Sequence, residues 1–480
     1  MTHYDVVVVG GGSAGCVLAA RLSESPDRAV LLLEAGPDYP SLADLPADLA
    51  EGRDSPGDAH DWGFTGVAGP GSVPVRLLRG KVMGGSSAVN ACWALRGHPS
   101  DYDGWGLPGW SFEELLAFFN AAEADADFGD QPWHGADGMV PIRRYSDAEM
   151  TPLGLAVLEA AESLGHKRID DHNRPGAVGA GRAPLSLRGN LRQSTAVTYL
   201  AAARHRPNLT IRPGVAVDRV EVSDGKAIGV WAGGELIAAG AVVLAAGTYA
   251  SPAILLRSGI GPASDLRELG IGVVCDLPGV GGNLHDHPRV PIVVAGRPGM
   301  ALLPKFQSVV TLHSEHADPA GPPDLHLGAG GAWDRETHFE FFAFTSLLKP
   351  YSRGRLRIVS RDPAAAPSID LGMLTDPHDH VRLQDGIRRL RLMLSTSPFA
   401  ELITTPQQDW AERPAASYHH PVGTCRMGTR PEQGDVVSPH ATVHGVEGLW
   451  VADASIMPDI PSANTNLPTI ALAERVASWL

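Results

Sequence analysis

"YDVVVVGGGSAG", residues 4–15, decides the fold. Tyr4 to Val9 is a nearly continuous apolar run dominated by β-branched valine, which predicts a strand buried on both faces of a parallel sheet. Gly10-Gly11-Gly12-Ser13-Ala14-Gly15 then satisfies G-x-G-x-x-G, and "CVLAARLSES" behind it reads as a helix. Gly10 permits the tight turn, Gly12 lets the main chain approach a pyrophosphate, and Gly15 lets helix and strand pack closely. Ser13 and Ala14 place the helix N-terminus, with its free N–H groups, toward the phosphates. Outward from this, "AVLLLEAG" is a second buried strand, closed by Glu34 about 20 residues beyond the glycines. A carboxylate there accepts ribose hydroxyls and repels a 2′-phosphate. The unit predicts dinucleotide binding; NAD or FAD stays open on this motif alone.

The chain has 480 residues, 44% hydrophobic and 19% charged, ample for a buried core. A net charge of −15 argues against nucleic acid or an anionic membrane as partner. Cys16, Cys92, Cys275 and Cys425 are far apart, so neither a zinc ribbon nor a disulfide framework is expected. The first strand begins too early for a signal peptide, and no apolar run is long enough to span a bilayer. These features predict a soluble, cytoplasmic protein.

Along the chain, "SFEELLAFFNAAEA" reads as a helix, and residues 209–247 as an antiparallel meander ending in a buried strand. "HDHVRLQDGIRRLRLMLS" and "NTNLPTIALAERVASWL" read as helices, and "GRLRIVS" as a strand. Nucleotide-type signals lie at both ends and in the middle, which predicts interleaved domains.

Two further stretches carry chemistry. "RGKVMGGSSAVNACWALRGHPSDYDGW", residues 79–105, offers small residues and backbone donors at Gly84, Gly85 and Ser86, as needed where a flat ring system lies on main chain, with Asn90 as a side-chain partner. "SYHHPVGTCRMG", residues 417–428, holds His419, His420 and Cys425. Locally it reads as a metal site, a Cys/His pair or a single presented histidine.

"DVVVVGGGSAGCVLAARLSES", "GKVMGGSSAVNA", "VVLAAGTYASPAILLRSGIGP", "LPGVGGNLHDHP", "SRGRLRI", "YHHPVGTCRMG" and "VADASIMPDIPSANTNLPTIALAE" resemble, in order, the motifs of the glucose–methanol–choline (GMC) oxidoreductases. The resemblance spans essentially the whole chain. It implies an α/β fold: a Rossmann-like FAD-binding domain of the glutathione-reductase type, interleaved with an α+β substrate domain on an antiparallel sheet. The implied division gives residues 1–145, 191–290 and 431–480 to the FAD domain, and 146–190 and 291–430 to the substrate domain. It further implies oxidation of an alcohol by hydride transfer to flavin N5, with O2, a quinone or another carrier as final acceptor. By the same resemblance His420 faces the flavin as base and Asn464 donates a hydrogen bond to the developing alkoxide. Cofactor contacts are implied from Val217, Ala246, Asp453, Ala454 and Asn466, and the last helix would direct its positive end at the reduced flavin. Where some members carry a histidine linked to flavin, Val89 stands here, so FAD is expected to be non-covalent.

In that frame Cys425 is expected to be a small buried residue and His419 a structural neighbour. The triplets His285-Asp286-His287 and His378-Asp379-His380 could each offer two metal ligands along a strand, but one lies in an FAD-type segment and the other opens a helix, so no metal is expected. Phe339, Phe341, Phe342 and Phe344 suit an aryl or furanyl primary alcohol or plain sheet core. Glu340 is the conceivable acid for a choline-type substrate, which ranks lower. A flavoprotein lyase, a decarboxylase or a redox partner protein on the same scaffold is the alternative.

Overall fold

The computed structural model describes residues 3–55, 57–69, 71–301, 303–334 and 339–480, the side chains of 332–334 excepted. Two large sheets organise them. The first runs in the order Leu209–Arg212, Val30–Leu33, Tyr4–Val9, Glu235–Leu244, Lys226–Ala232, Val217–Ser223, with Leu449–Val451 also paired to Glu235–Leu244. Tyr4–Val9 is central and parallel to both neighbours, and Val7 and Val8 are fully buried, as an apolar run without alternation requires. Helix Ser13–Leu22 leaves the end of that strand and packs against the last helix, Asn466–Ala477. Arg21 binds Glu474 through two parallel contacts, Nε–Oε2 at 2.7 Å and Nη2–Oε1 at 2.8 Å, fastening one end of the chain to the other.

Two expectations are corrected here. Leu209–Arg212 is not part of the meander; it pairs in parallel with Val30–Leu33 at the sheet edge. The helix read over "SFEELLAFFNAAEA" stops at Ala122, and Glu123–Asp125 forms a short strand beside Val140–Ile142. The meander proper is Val217–Ser223, Lys226–Ala232 and Glu235–Leu244, and its last strand continues into the parallel sheet.

The second sheet is antiparallel throughout: Ala411–Glu412, Pro288–Gly296, Phe339–Leu347, Leu325–Asp334, Ser308–Leu312, Gly179–Arg182, with Ala416–Ser417 also on Pro288–Gly296. Helices Pro152–Ser163 and Pro377–Leu394 pack against it. Phe341 lies in this core, its ring stacked near Phe399, whereas Phe342 and Phe344 join a different set of rings. No helix among the described residues is long and apolar enough to cross a membrane.

Candidate active site

The glycine turns form one cradle. A Cβ on Gly15 would sit 1.8 Å from the Gly10 carbonyl oxygen, so helix and turn touch backbone to backbone. Gly85, at φ +51°, presses on Gly12, where a Cβ would come within 2.6 Å of the Gly12 Cα. The Gly84 N–H donates to the Gly11 carbonyl at 2.7 Å, locking the second glycine loop onto the first. A Cβ on Gly12 itself would meet nothing nearer than 3.9 Å, which leaves the open approach a pyrophosphate needs. Ser13 Oγ donates to Asn466 Oδ1 at 2.8 Å, bringing the N-termini of the first and last helices together at this cradle.

Glu34 is buried, and burial raises its pKa above the ordinary carboxylate value. It accepts from Gly11 N and Gly36 N, both at 2.8 Å, one on each oxygen. Each oxygen keeps a lone pair for a ribose hydroxyl. Ser86 Oγ accepts from Gly80 N, and Asn90 Oδ1 from Cys92 N. Val217 begins the strand Val217–Ser223, and Ala246 N donates to Ser251 Oγ. Ala454 offers its carbonyl to Gly423 N. The Asp453 carboxylate is turned into the protein, accepting from Gly247 N, Ser251 Oγ and Ser455 N, so any cofactor contact there runs through its main chain.

His420 and Asn464 meet as the motifs imply. Asn464 Nδ2 lies 2.9 Å from His420 Nε2, and His287 Nδ1 lies 3.0 Å from His420 Nδ1. With the amide donating, Nε2 of His420 carries the lone pair and Nδ1 the proton, which it gives to His287. That is the tautomer of a base at Nε2. Asn464 Oδ1 and His287 Nε2 are buried without a hydrogen-bond partner among the described residues.

Asp286 holds this arrangement. Its Oδ1 accepts from His420 N at 2.9 Å and His287 N at 2.7 Å, and its Oδ2 accepts from Ser417 Oγ. The strand register aligns 417–422 with 285–288: Ser417 faces Pro288, Tyr418 N donates to His287 O, and Val422 and His285 exchange backbone bonds. His419 makes the corner with φ +69°, a left-handed conformation costing about 1–3 kcal/mol in a non-glycine residue. Ser417 Oγ accepts the His419 N–H, and Arg79 donates to its carbonyl. Burial first, then the charges of His287, Arg79 and other neighbours, holds His420 well below the ordinary imidazole pKa. His287 and His419 are likewise held down by burial, and His326 falls to about 3.

Beside His420 stands a wall of rings. Tyr418 is 4.5 Å from His420 between centroids, Phe344 5.5 Å from Tyr418, and Trp93 and Phe342 adjoin Phe344. A narrow cleft adjoins, sharing His326 with this wall and reaching Ala463, the residue before Asn464.

Of the histidine triplets, the first is a scaffold. His285 accepts from Ile460 N at Nε2, leaving Nδ1 to donate to the Asn283 carbonyl, while His287 turns to His420. In the second, the helix is capped by Asp376, which accepts from His378 N, and Asp379 binds Tyr351 N and Ser352 N. Glu123, Asp125 and His134 lie close enough together to hold an ion. Their atoms are engaged with one another and with Arg96 and Arg144, which makes the cluster an ion-pair network. Cys425 is fully buried with its thiol pKa pushed up by burial, consistent with a packing residue. Sequence reasoning assigns no role to His287, Asp286 or Arg79; the i, i+2 histidines are the available signal, weighed only as metal ligands and set aside.

Compared with known proteins, residues 4–289 and 350–473 match the N- and C-terminal parts of GMC oxidoreductase. The chain is 37% identical to a 5-(hydroxymethyl)furfural oxidase of Methylovorus sp. (strain MP688), covering 99% of this chain and 98% of the relative. It is 35% identical to an oxygen-dependent choline dehydrogenase of Photobacterium profundum, covering 99% and 92%. The structure of a pyridoxine 4-oxidase from Mesorbium loti superposes with a TM-score of 0.90 at 31% identity, covering 99% of both chains. The double-glycine cradle, with the buried Glu34 carboxylate at one end and the His420–Asn464 pair in the same protein, fits FAD. From its first strand to its last helix the chain belongs to the GMC oxidoreductase family, FAD-dependent enzymes acting on CH–OH donors.

Proposed function

We propose that the protein oxidises a primary aryl or furanyl alcohol to the aldehyde, with His420 as base and Asn464 as hydrogen-bond donor to the alkoxide. The observation that carries this is the Nε2 lone pair of His420, fixed by Asn464 on one side and His287 on the other, beside the ring of Tyr418. A hydroxyl proton moves to His420 Nε2 as the carbinol hydrogen leaves with its electron pair, and the carbonyl forms. FAD supplies the hydride acceptor when bound. The neutral imidazole is ready for this proton because burial keeps it uncharged. Asn464 can turn its Nδ2 donor from His420 to the developing alkoxide, where a preorganised donor acts in a dry site. Of the rings of Tyr418, Phe344, Phe342 and Trp93, Tyr418 stands against His420, and it is the one on which a substrate ring would lie.

Two further readings belong to this proposal. FAD is non-covalent, since Val89 supplies no nucleophile and instead packs with Leu49, Val82 and Ala88. In the domain division 1–145, 191–290 and 431–480 serve the cofactor and the rest the substrate; the two large sheets support it, while Pro288–Gly296 crosses one boundary and Arg355–Arg357 and Ser368–Asp370 share a small sheet with Thr65–Val67.

The test is anaerobic. The holoenzyme is mixed with aryl, furanyl, aliphatic and amino alcohols while flavin absorbance is followed, then air is admitted. Bleaching by the aryl or furanyl class supports the proposal, and recolouring in air tells oxidase from dehydrogenase. Flavin that dithionite bleaches and no alcohol does would overturn it.

A further inference from the structure

Among the described residues Arg289 is an arginine without a carboxylate partner. It stands two residues after His287, on the strand Pro288–Gly296, opposite Ser346 in the register. Positions 346, 344 and 342 lie on one face of the neighbouring strand, so Arg289 shares the side of the sheet that carries Phe344 and Phe342. Its guanidinium lies over two rings of the wall, 5.6 Å from the Tyr418 centroid and 5.9 Å from that of Phe342. Its Nε is buried without a hydrogen-bond partner, and among the described residues no carboxylate forms an ion pair with it.

Its neighbours sharpen the point. Asp286 is the carboxylate that acts on it electrostatically, but both oxygens of Asp286 are already taken by Ser417, His287 and His420. The other groups nearby are imidazoles or cations: His419 and His420, and Arg79 behind them. Three arginines of the helix packed on this sheet do have carboxylate partners, Arg382 with Asp379, Arg389 with Asp385 and Arg391 with Glu412. A half-buried guanidinium on the ring of Tyr418, which adjoins His420, with no carboxylate partner among the described residues, carries a desolvation cost that two rings and the engaged Asp286 offset only in part. A planar anion would offset it, since the guanidinium fork matches a carboxylate in two parallel hydrogen bonds.

We infer that Arg289 selects substrates bearing an anionic group, and that the alcohol oxidised here is an aromatic ring carrying a carboxylate as well as a hydroxymethyl group. The hydroxymethyl lies at His420, the ring on Tyr418 and Phe344, and the carboxylate at Arg289. The same cation repels a quaternary ammonium, which separates this site from a choline-type one. The inference rests on the alcohol-oxidase reading above.

The test compares 4-(hydroxymethyl)benzoate with 4-methylbenzyl alcohol, similar in shape and differing in charge, on holoenzyme of the wild type, Arg289→Met and Arg289→Lys. The wild type is expected to favour the anion in kcat/KM by about 10- to 100-fold, the value of a charge-assisted hydrogen-bonded pair. Arg289→Met is expected to bring that ratio to near unity through KM, and Arg289→Lys to keep part of it. A wild type favouring the neutral alcohol, or a ratio unmoved by Arg289→Met, overturns the inference. In parallel, 4-methylbenzoate, which has no hydroxyl to oxidise, is titrated calorimetrically into each protein. If no alcohol reduces the flavin, the alcohol-oxidase reading fails, and the calorimetry still decides on Arg289. Binding weakened at least about tenfold in Arg289→Met upholds the anion site, and equal or absent binding in the wild type overturns it.

Discussion

His287 and His420 face each other Nδ1 to Nδ1 at 3.0 Å, across 133 residues of sequence. Only one of the two nitrogens can carry the proton, and the Asn464 amide at His420 Nε2 assigns it to His420. His287 therefore fixes the tautomer that leaves Nε2 free to act as base. It is a positioning residue, and Asp286 positions it in turn through its backbone N–H.

Replacing His287 by Phe keeps the ring and removes the acceptor. The expected outcome is a fall in kcat of roughly 10- to 100-fold, milder than the ~10⁴ loss seen when a base is locked in its wrong tautomer. Flavin content stays normal and KM changes little. His287→Gln, which can still accept at its amide oxygen, recovers part of the rate. Equal loss in both variants would sink the tautomer argument and leave a packing role. Single-turnover flavin reduction is the measurement.

His420→Ala removes the base and is expected to slow flavin reduction by about 10²–10⁴-fold. Asn464→Ala removes a donor and is expected to cost about 10²–10³-fold. Both should purify yellow, because neither side chain lies in the Gly10–Gly15 cradle. Asn464→His, which retains a donor, is expected to be faster than Asn464→Ala. Stopped-flow reduction at saturating alcohol reads all three; a His420→Ala enzyme within a few-fold of wild type would remove His420 from the chemistry.

What the sequence shows of this site depends on the range of each interaction. The turn at Gly10–Gly15 is legible because its constraints are local, and Tyr4–Val9 because a strand buried on both faces needs no partner to be recognised. His420 and Asn464 are legible as parts of longer motifs. His287 is not: its partner is 133 residues away, and the i, i+2 pair with His285 points to a shared ligand, whereas the rings diverge to different partners. Leu209–Arg212 reads as part of the meander because a four-residue strand does not encode its neighbour. For Phe341, Phe342 and Phe344 the alternation is visible, but which face meets Phe399 and which meets Tyr418 is set by packing across the sheet.

Two glycines of the turn should fail in different ways. In Gly15→Ala the new methyl would lie 1.8 Å from the Gly10 carbonyl oxygen, main chain that cannot move aside, so a loss of about 3 kcal/mol or more in stability is expected. In Gly12→Ala the methyl has room in the protein but occupies the pyrophosphate approach. That variant is expected to fold, with the apoprotein melting near the wild-type value, and to bind FAD at least tenfold more weakly. Thermal melts and FAD titration of both variants separate the cases. A Gly12→Ala protein with full flavin content would mean that the phosphates pass elsewhere.

Stability should peak just above pH 7 and fall more steeply on the acid side. His287, His419 and His420 are held well below the ordinary imidazole value by burial, His172 lies at about 4 and His326 at about 3. Below about pH 6.5 the unfolded chain binds protons that these folded histidines refuse, so each pH unit lost costs up to ~1.4 kcal/mol per histidine. His134 has the opposite sign. Burial opposes its charge, but hydrogen bonds to Asp171 Oδ2 at 3.0 Å and Glu123 Oε1 at 2.5 Å hold its pKa up to about 9. Its contribution is complete below about pH 6.5 and is lost as pH rises through 9. With His98, His166 and His285, also lowered by burial, eight histidines act on the acid limb against one on the alkaline limb. Melting temperatures from pH 4 to 10 should show that asymmetry, and His134→Gln should flatten the alkaline limb while leaving the acid one. The acid limb of kcat/KM should lie below that of a free imidazole, because His420 stays uncharged there. A symmetric stability profile, or an activity limb at or above the ordinary imidazole value, would show these histidines to be charged in the folded protein.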